Sequence, residues 1–414
     1  MKVKLTKSLI KLSRMARWCS LFFTFFASQQ LTDWYLLRIT YVRGGITTTD
    51  PGGVSFADLG FVLNRVDCFR EIGWKIYGST GDCGWYIYGS NLVRFINFLG
   101  LDETNTKTIG WMFIFVFSVA LASIFSSIEI NSVYFFVFAA VSVMSPPIML
   151  LLERGNFDIL VFVLLFVFAS LLSFKWIYPA IGALIAASLF KFYPAPLLIW
   201  MTIIQKKTSM KVATVGIFLV VATQVLVDLN RVEYSFPRPT VVSFGNPIFG
   251  LYIQYFRPYA PGLIQDLLGL VMLGCAIWVT QFLSQNGFLV LPDTRILTKP
   301  GNATDAYFSV FSLTFLFVYF ASSSYDYRLV YLIVPAIIYI SRIHNHRRSF
   351  TILVVLLIAA SWLSGNFIFR PYDLKITFQP IGDLAILGFT AVFVRGLYLE
   401  IKSYSLPINL RFQR

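Results

Sequence analysis

The chain of 414 residues is 57% hydrophobic and only 13% charged, with a mean hydropathy of +0.71, where a soluble domain carries about a quarter of its residues charged. Such a composition excludes a soluble enzyme, and the lack of period-two alternation excludes a β-barrel; the class is an all-α polytopic membrane protein. The net charge of +14, from 34 Lys and Arg against 20 Asp and Glu, would suggest nucleic acid in a soluble protein, but here it reads as orientation in a membrane, with lipids rather than nucleic acid as the surroundings.

The first segment, "MKVKLTKSLIKLSRMAR", holds six Lys or Arg and no acid, and apolar "WCSLFFTFFAS" follows. No convincing small-residue cleavage site is present, so the segment reads as a retained first span starting in the cytoplasm. Apolar runs then place spans at about 17–36, 109–126, 132–151, 157–174, 177–190, 192–204, 212–229, 262–284, 305–321, 328–340, 350–368 and 381–399. Helices of this kind satisfy their own backbone in a hydrocarbon layer roughly 30 Å thick.

Twelve crossings return the C-terminus to the starting side, and the charges between them test the count. "QKKTSMK", "SRIHNHRRS" and the tail "KSYSLPINLRFQR" all fall in the cytoplasm, and each carries three Lys or Arg and no acid. The count needs a break within 177–204, where Pro194 and Pro196 remove helical donors and clash with the preceding turn. A single tilted helix there would invert everything downstream.

Residues 41–108 form a long outer loop whose segments, such as "FADLGFVLNRVDCFREIGWKIYG" and "WYIYGSNLVRFINFLGL", are too polar to span and too apolar to float. Amphipathic helices lying in the interface are expected there. A second outer loop covers about 230–261, and no repeat or appended soluble domain is evident, so 1–414 reads as one transmembrane domain. Cys68 and Cys83 lie close together in the first loop and either pair, if it faces an oxidising space, or remain free thiols. The chain has no CxxC or Cys/His cluster, and His344 and His346 sit in a basic loop, so neither a metal nor a cofactor is expected. The sequon at Asn302 falls in a loop assigned to the cytoplasm, where no glycan is expected.

With this threading the charges at the membrane edge gather on the outer face: Asp58, Glu153, Arg154, Asn156, Asp158, Lys191, Tyr325, Asp326 and Arg328. An ionised group at bilayer depth costs roughly 2.5–3.5 kcal/mol on insertion scales, so their common side suggests an outward cavity holding carboxylates and cations together. Each has a plainer reading. On that reading Asp158 complements a helix dipole and Asn156 caps it, Lys191 snorkels to headgroups, and Arg328 and Asp326 form a surface pair.

The stretch "GNFDILVFVLL" followed by "YPAIGALIAASLFKFYPAPLLIWMTIIQKK" resembles the core of the GT-C glycosyltransferases of family 87, which include bacterial polyprenol-phosphate-mannose-dependent mannosyltransferases. Gly155, Asn156, Gly182, Lys191, Pro194 and Lys206 to Lys207 match its pattern in order and spacing. That family carries its catalytic Asp in the first outer loop, ahead of a Gly-x-x-x-Tyr element and a Tyr-rich turn. Asp58 before "GWKIYG" (Gly73, Tyr77) and "WYIYGS" (Tyr86, Tyr88) resembles this arrangement, with Asp67 as the alternative catalytic residue. "SSSYDYRLVYLIVP" is similar to a late polar motif, although related members often have His where this chain has Tyr327 or Arg328.

The resemblance implies a GT-C fold of about 12 transmembrane helices in the bacterial cytoplasmic membrane, both termini inside and the active site outside. It implies inverting transfer of a sugar, mannose by default, from a polyprenyl phosphate sugar donor to a glycolipid or glycan acceptor. Asp58 is then the general base, Lys191, Arg328 and Arg154 contact the donor phosphate, and Glu153, Asn156, Asp158, Tyr325, Asp326, Tyr86 and Tyr88 line the substrate site. No nucleotide-binding glycine loop or DxD pair accompanies them. The rival readings are a transporter or flippase of a sugar or lipid-linked sugar, which would use symmetry-related halves near the midplane, and a noncatalytic scaffold.

Overall fold

The computed structural model describes residues 2–32, 56–77, 88–128, 133–205, 207–231, 243–244, 262–292, 302–321, 324–363 and 372–405. Fifteen α-helices are described: α1 (Lys2–Thr32), α2 (Ala57–Ile72), α3 (Ser90–Phe98), α4 (Thr106–Ser127), α5 (Val133–Val143), α6 (Pro146–Glu153), α7 (Asp158–Ser173), α8 (Ile177–Phe190), α9 (Pro196–Ile204), α10 (Thr208–Arg231), α11 (Gly262–Gln285), α12 (Ala303–Ala321), α13 (Val330–Arg342), α14 (Arg347–Trp362) and α15 (Tyr372–Ser405). The protein is an all-helical membrane protein: five of these helices are long and apolar enough to cross a bilayer, or six if α5 and α6 make one broken span. Each expected apolar run overlaps helix among the described residues, but 132–151 divides into two, α5 and α6, bent by 46°. Several are short, and the nine residues of α9 reach only about 14 Å at 1.5 Å per residue, less than the hydrocarbon thickness. Hydropathy marks an apolar run without fixing helix length.

Two compact units divide the chain, Met1–Glu129 with Ile148–Arg238, and Ile130–Pro147 with Pro239–Arg414. In the first, Trp18, Phe22 and Phe26 recur every fourth residue and so share one face of α1. They meet Phe125 and Phe117 of α4, with Trp18 and Phe125 centroids 5.1 Å apart and Phe26 and Phe117 6.2 Å apart. Phe117 in turn meets Phe162 of α7 at 4.9 Å. Because aromatic rings bury the largest area per residue, this ladder holds three helices side by side. α8 stops at Phe190, Lys191 is extended at φ −142°, and α9 begins with Pro196 at its first turn. The proline-driven break is therefore where the sequence placed it.

In the second unit α13 is buried along nearly its whole length, from Val330 to Ile340. Arg342 at its end donates to Asp305 at the start of α12 at 2.6 Å, so the two helices run antiparallel. Trp362 of α14 reaches the carbonyl of Val141 in α5. A two-residue antiparallel pair, Ser243–Phe244 with Ser324–Tyr325, joins the segment expected as the second outer loop to the turn that opens α13.

Two helices are described within the expected first outer loop, α2 and α3. α3 buries Leu92, Val93 and Ile96 while Phe95, Phe98 and Leu99 are exposed, as suits a short helix lying against lipid. Cys68 on α2 is disulfide-bonded; Cys83 lies outside the described residues. Cys19 and Cys275 are free.

α2 is anchored through Phe56, a buried residue in the left-handed region at φ 64°, a conformation that costs a non-glycine residue roughly 1–2 kcal/mol. Its ring rests on Gly110 of α4, where an added Cβ would fall 2.3 Å from the ring. Gly110→Ala should therefore destabilise the protein by about 1–3 kcal/mol through overpacking, despite the better helix propensity of Ala. Gly216→Ala on α10, with no neighbour within 4 Å, should be neutral or stabilising by up to about 1 kcal/mol. Thermal unfolding of both variants in one detergent checks the contrast.

Candidate active site

α6 ends at Glu153, and Gly155 turns the chain in the left-handed region at φ 58°. A side chain there is opposed twice, by that backbone angle and by Phe56 and Leu59, which a Cβ would approach to 3.0–3.1 Å. The turn presents two carbonyls to the start of α2: Phe56 N–H donates to Glu153 O at 2.7 Å, and the N–H groups of Asp58 and Leu59 donate to Arg154 O at 2.9 and 3.2 Å. The unpaired donors at one helix start thus satisfy the unpaired acceptors at another helix end. This contact, between residues nearly a hundred positions apart, sets Asp58 beside the 154–158 turn.

The Asp58 carboxylate is held on both oxygens. Arg154 donates from Nε to Oδ1 at 2.7 Å and also pairs with Oδ1 through Nη2, and Asn156 Nδ2 donates to Oδ2 at 2.6 Å. The other end of the Asn156 amide accepts the N–H of Asp158, the first residue of α7, at 3.0 Å, so Asn156 both holds the start of that helix and orients Asp58. Asp158, fully buried, accepts a hydrogen bond from the Tyr193 hydroxyl and pairs with Lys191 Nζ at 3.7 Å. Lys191 Nζ also lies 4.5 Å over the ring of Tyr88, a contact worth about 2 kcal/mol when desolvated.

The result is one continuous polar chain, Arg154, Asp58, Asn156, Asp158, Lys191 and Tyr88, linked by hydrogen bonds, ion pairs and a cation–π contact. Its two carboxylates differ in access, since the Asp158 side chain is 0% exposed and that of Asp58 14%. A reacting group that must meet an incoming hydroxyl needs the accessible position, whereas a sealed carboxylate serves to hold a cation in place. Lys191, paired with Asp158, is 11% exposed at the break between α8 and α9, where its ammonium is tethered but not enclosed.

The sequence-derived candidates separate accordingly. Asp58, Arg154, Asn156, Asp158, Lys191 and Tyr88 come together; Glu153 contributes its backbone carbonyl to the same turn. Arg154, expected as a phosphate contact, has its guanidinium on Asp58. Asp67 lies nine residues along α2, about 13 Å at helical rise, in an ion pair with Arg70 at 2.8 Å and accepting the N–H of Glu103 at 3.3 Å. Asp67 thus ties α2 to the start of α4 and stands away from this cluster. Tyr325 pairs with Ser243 in the short strand pair, and Asp326 and Arg328 occupy the 3-10 turn before α13, all in the second unit. Tyr86 is outside the described residues.

Two participants escape a reading by sequence. Tyr193 looks like one more aromatic in an apolar run, yet its hydroxyl is committed to Asp158. Asp228, near the end of α10, is buried and accepts the Ser90 N–H at 3.0 Å. Its signal was available, because a lone acid at the outer end of an expected span belongs with the other charges gathered on that face.

The chain matches no family model, no curated protein and no solved structure.

Proposed function

We propose that this protein is a membrane glycosyltransferase with a GT-C architecture of about twelve spans, moving a sugar from a polyprenyl phosphate donor to a lipid-linked or glycan acceptor outside the bacterial cytoplasmic membrane. The observation that carries the reading is that a partly exposed carboxylate, Asp58, and a tethered cation, Lys191, belong to one cluster, joined by hydrogen bonds through Asn156 to the Asp158 N–H and by the Asp158–Lys191 ion pair. Disulfide-bonded Cys68 on α2 favours an oxidising, extracytoplasmic side for this region. The family 87 resemblance supplies the substrate class, with mannose as the default sugar.

In this reading the acceptor hydroxyl gives its proton to Asp58 as its oxygen attacks the anomeric carbon. The bond from that carbon to the phosphate oxygen breaks, its electron pair leaves with the polyprenyl phosphate, and Lys191 stabilises the anion. A single displacement inverts the anomeric centre. Arg154 and Asn156 orient the base, and Asp158 and Tyr193 hold the cation.

The test is direct. Purified protein is incubated with labelled polyprenyl phosphate mannose, glucose or arabinose and candidate glycolipid acceptors, and product is sought by chromatography. New glycosidic product with inverted configuration is the expected result. Movement of lipid or sugar across a vesicle without bond formation would instead establish a carrier.

A further inference from the structure

Lys191 is backed by the ring of Tyr88, and what fixes Tyr88 comes from elsewhere in the unit. The residue after it, Gly89, lies against the carboxylate of Asp228, since a Cβ added there would fall 3.2 Å from Asp228 Oδ2 and 3.7 Å from the carbonyl of Leu189. Asp228 Oδ2 accepts the N–H of Ser90, the first residue of α3, at 3.0 Å. Gln224, one turn earlier on α10, donates from one amide nitrogen to Ser90 Oγ at 3.0 Å and to Asp228 Oδ1 at 3.2 Å. A long helix thereby grips the N-terminus of a short one through a buried acid. That grip stands where α3's own N-cap, Gly89, provides no side-chain cap, and where a negative charge complements the helix dipole.

The grip fixes the approach to α3 as well as α3 itself. Tyr88 O accepts the Tyr77 hydroxyl at 3.1 Å, and the Tyr88 ring meets Phe157, immediately before Asp158, at 6.2 Å. Tyr88 is therefore held by its backbone on one side and by the α7 turn on the other. Of these supports, Asp228 and Gln224 alone come from α10.

We infer that Asp228 is a positioning residue that, through Ser90 and Gly89, holds the Tyr88 ring under Lys191 and so fixes the cation at the head of the cluster. The inference concerns where Lys191 is held; its consequence for catalysis rests on the proposed transferase reading. The route from Asp228 to Lys191 runs through the Ser90 N–H, Gly89 and the Tyr88 ring, and the double variant below tests whether that route carries its influence.

Competitive acylation of the full-length protein in detergent with a limiting amine reagent, read residue by residue by mass spectrometry, reports how tightly Lys191 is held without any need for sugar transfer. Lys207, on the chain leading into α10, serves as internal reference. Asp228→Ala should raise Lys191 labelling about fivefold relative to Lys207, the factor that loss of a helix cap commonly produces, and Tyr88→Ala should raise it at least as much. The double variant should match Tyr88→Ala alone, because both act through one ring. Asp228→Asn, which keeps an acceptor for the Ser90 N–H, should label within about twofold of the parent.

Unchanged Lys191 labelling in a folded Asp228→Ala protein, or additive effects in the double variant, would overturn the inference. Should Asp228→Ala fail to fold, Ser90→Pro, which removes the N–H that Asp228 accepts at a helix position tolerant of proline, makes the same comparison, with the same two outcomes. If labelling changes as stated while no preparation transfers sugar, the positioning role stands and the transferase reading falls. If sugar transfer is found but labelling does not change, the reverse holds.

Discussion

On the proposed transferase reading, Asp58→Asn should cut sugar transfer by about 10²–10⁴, the range that removal of a general base produces. The variant also carries a structural cost. Arg154 and Asn156 both donate to this side chain, and the Asn156 carbonyl oxygen is already committed to the Asp158 N–H, so Asn156 cannot turn to accept. An amide at position 58 satisfies Arg154 with its oxygen and then points its own donors at the donors of Asn156. The unmet pair should cost about 1–3 kcal/mol, and a loss of activity alone would be ambiguous.

The paired exchange resolves this. In Asp58→Asn with Asn156→Asp, the new acid at 156 accepts from the amide at 58 and still accepts the Asp158 N–H, so every donor again has an acceptor. The cluster keeps the same number of charges, but the carboxylate moves from an accessible site to a buried one, since Asn156 is 1% exposed. The exchange should recover the hydrogen-bond part of the loss, about 1–3 kcal/mol, but stay less stable than the parent, because its carboxylate is buried and no longer paired with Arg154; transfer should still be down by about 10²–10⁴. Thermal unfolding and the transfer assay on the same preparations decide the matter. Recovery of transfer in the exchanged protein would show that the base lies elsewhere.

How much of this site could be read from the sequence depends on what kind of signal each residue leaves. Asp58, Arg154, Asp158 and Lys191 were legible because ionised groups are conspicuous in apolar surroundings, and the helix break at Lys191 was legible because two prolines follow it. Which carboxylate meets which cation was not. Asp58 and Asp67 lie on the same helix, and only the docking of Phe56, Asp58 and Leu59 onto the 153–154 carbonyls brings one end of that helix to the cluster and leaves the other on the surface. Arg154 reads as a free cation in the sequence because its partner is 96 residues away. The fold was legible to a similar depth: the expected runs overlap helix among the described residues and α8 spans 177–190 as expected, whereas 132–151 divides into α5 and α6 and α9 starts only at Pro196, where the prolines allow it.

Lys191→Met should produce two losses at once, and their separation tests what the cation is for. Met replaces the lysine stem without its charge, leaving the Asp158 carboxylate sealed from solvent with the Tyr193 hydroxyl but without the ammonium opposite it. Breaking a buried pair from one side typically costs about 3–5 kcal/mol, so the variant should unfold at markedly lower temperature. Transfer should fall by about 10²–10³, the effect of removing one group that stabilises developing charge. Adding Asp158→Asn removes the stranded charge while an amide oxygen still accepts from Tyr193. The double variant should therefore regain most of the lost stability, as replaced buried pairs often do, and none of the lost transfer. A cation kept only to neutralise Asp158 would behave otherwise: the double variant, stable again, would transfer sugar at close to the parent rate. A cation kept for the leaving phosphate cannot be replaced by removing its counter-ion, because the charge it answers arrives with the donor lipid and is greatest as the glycosidic bond to phosphate breaks.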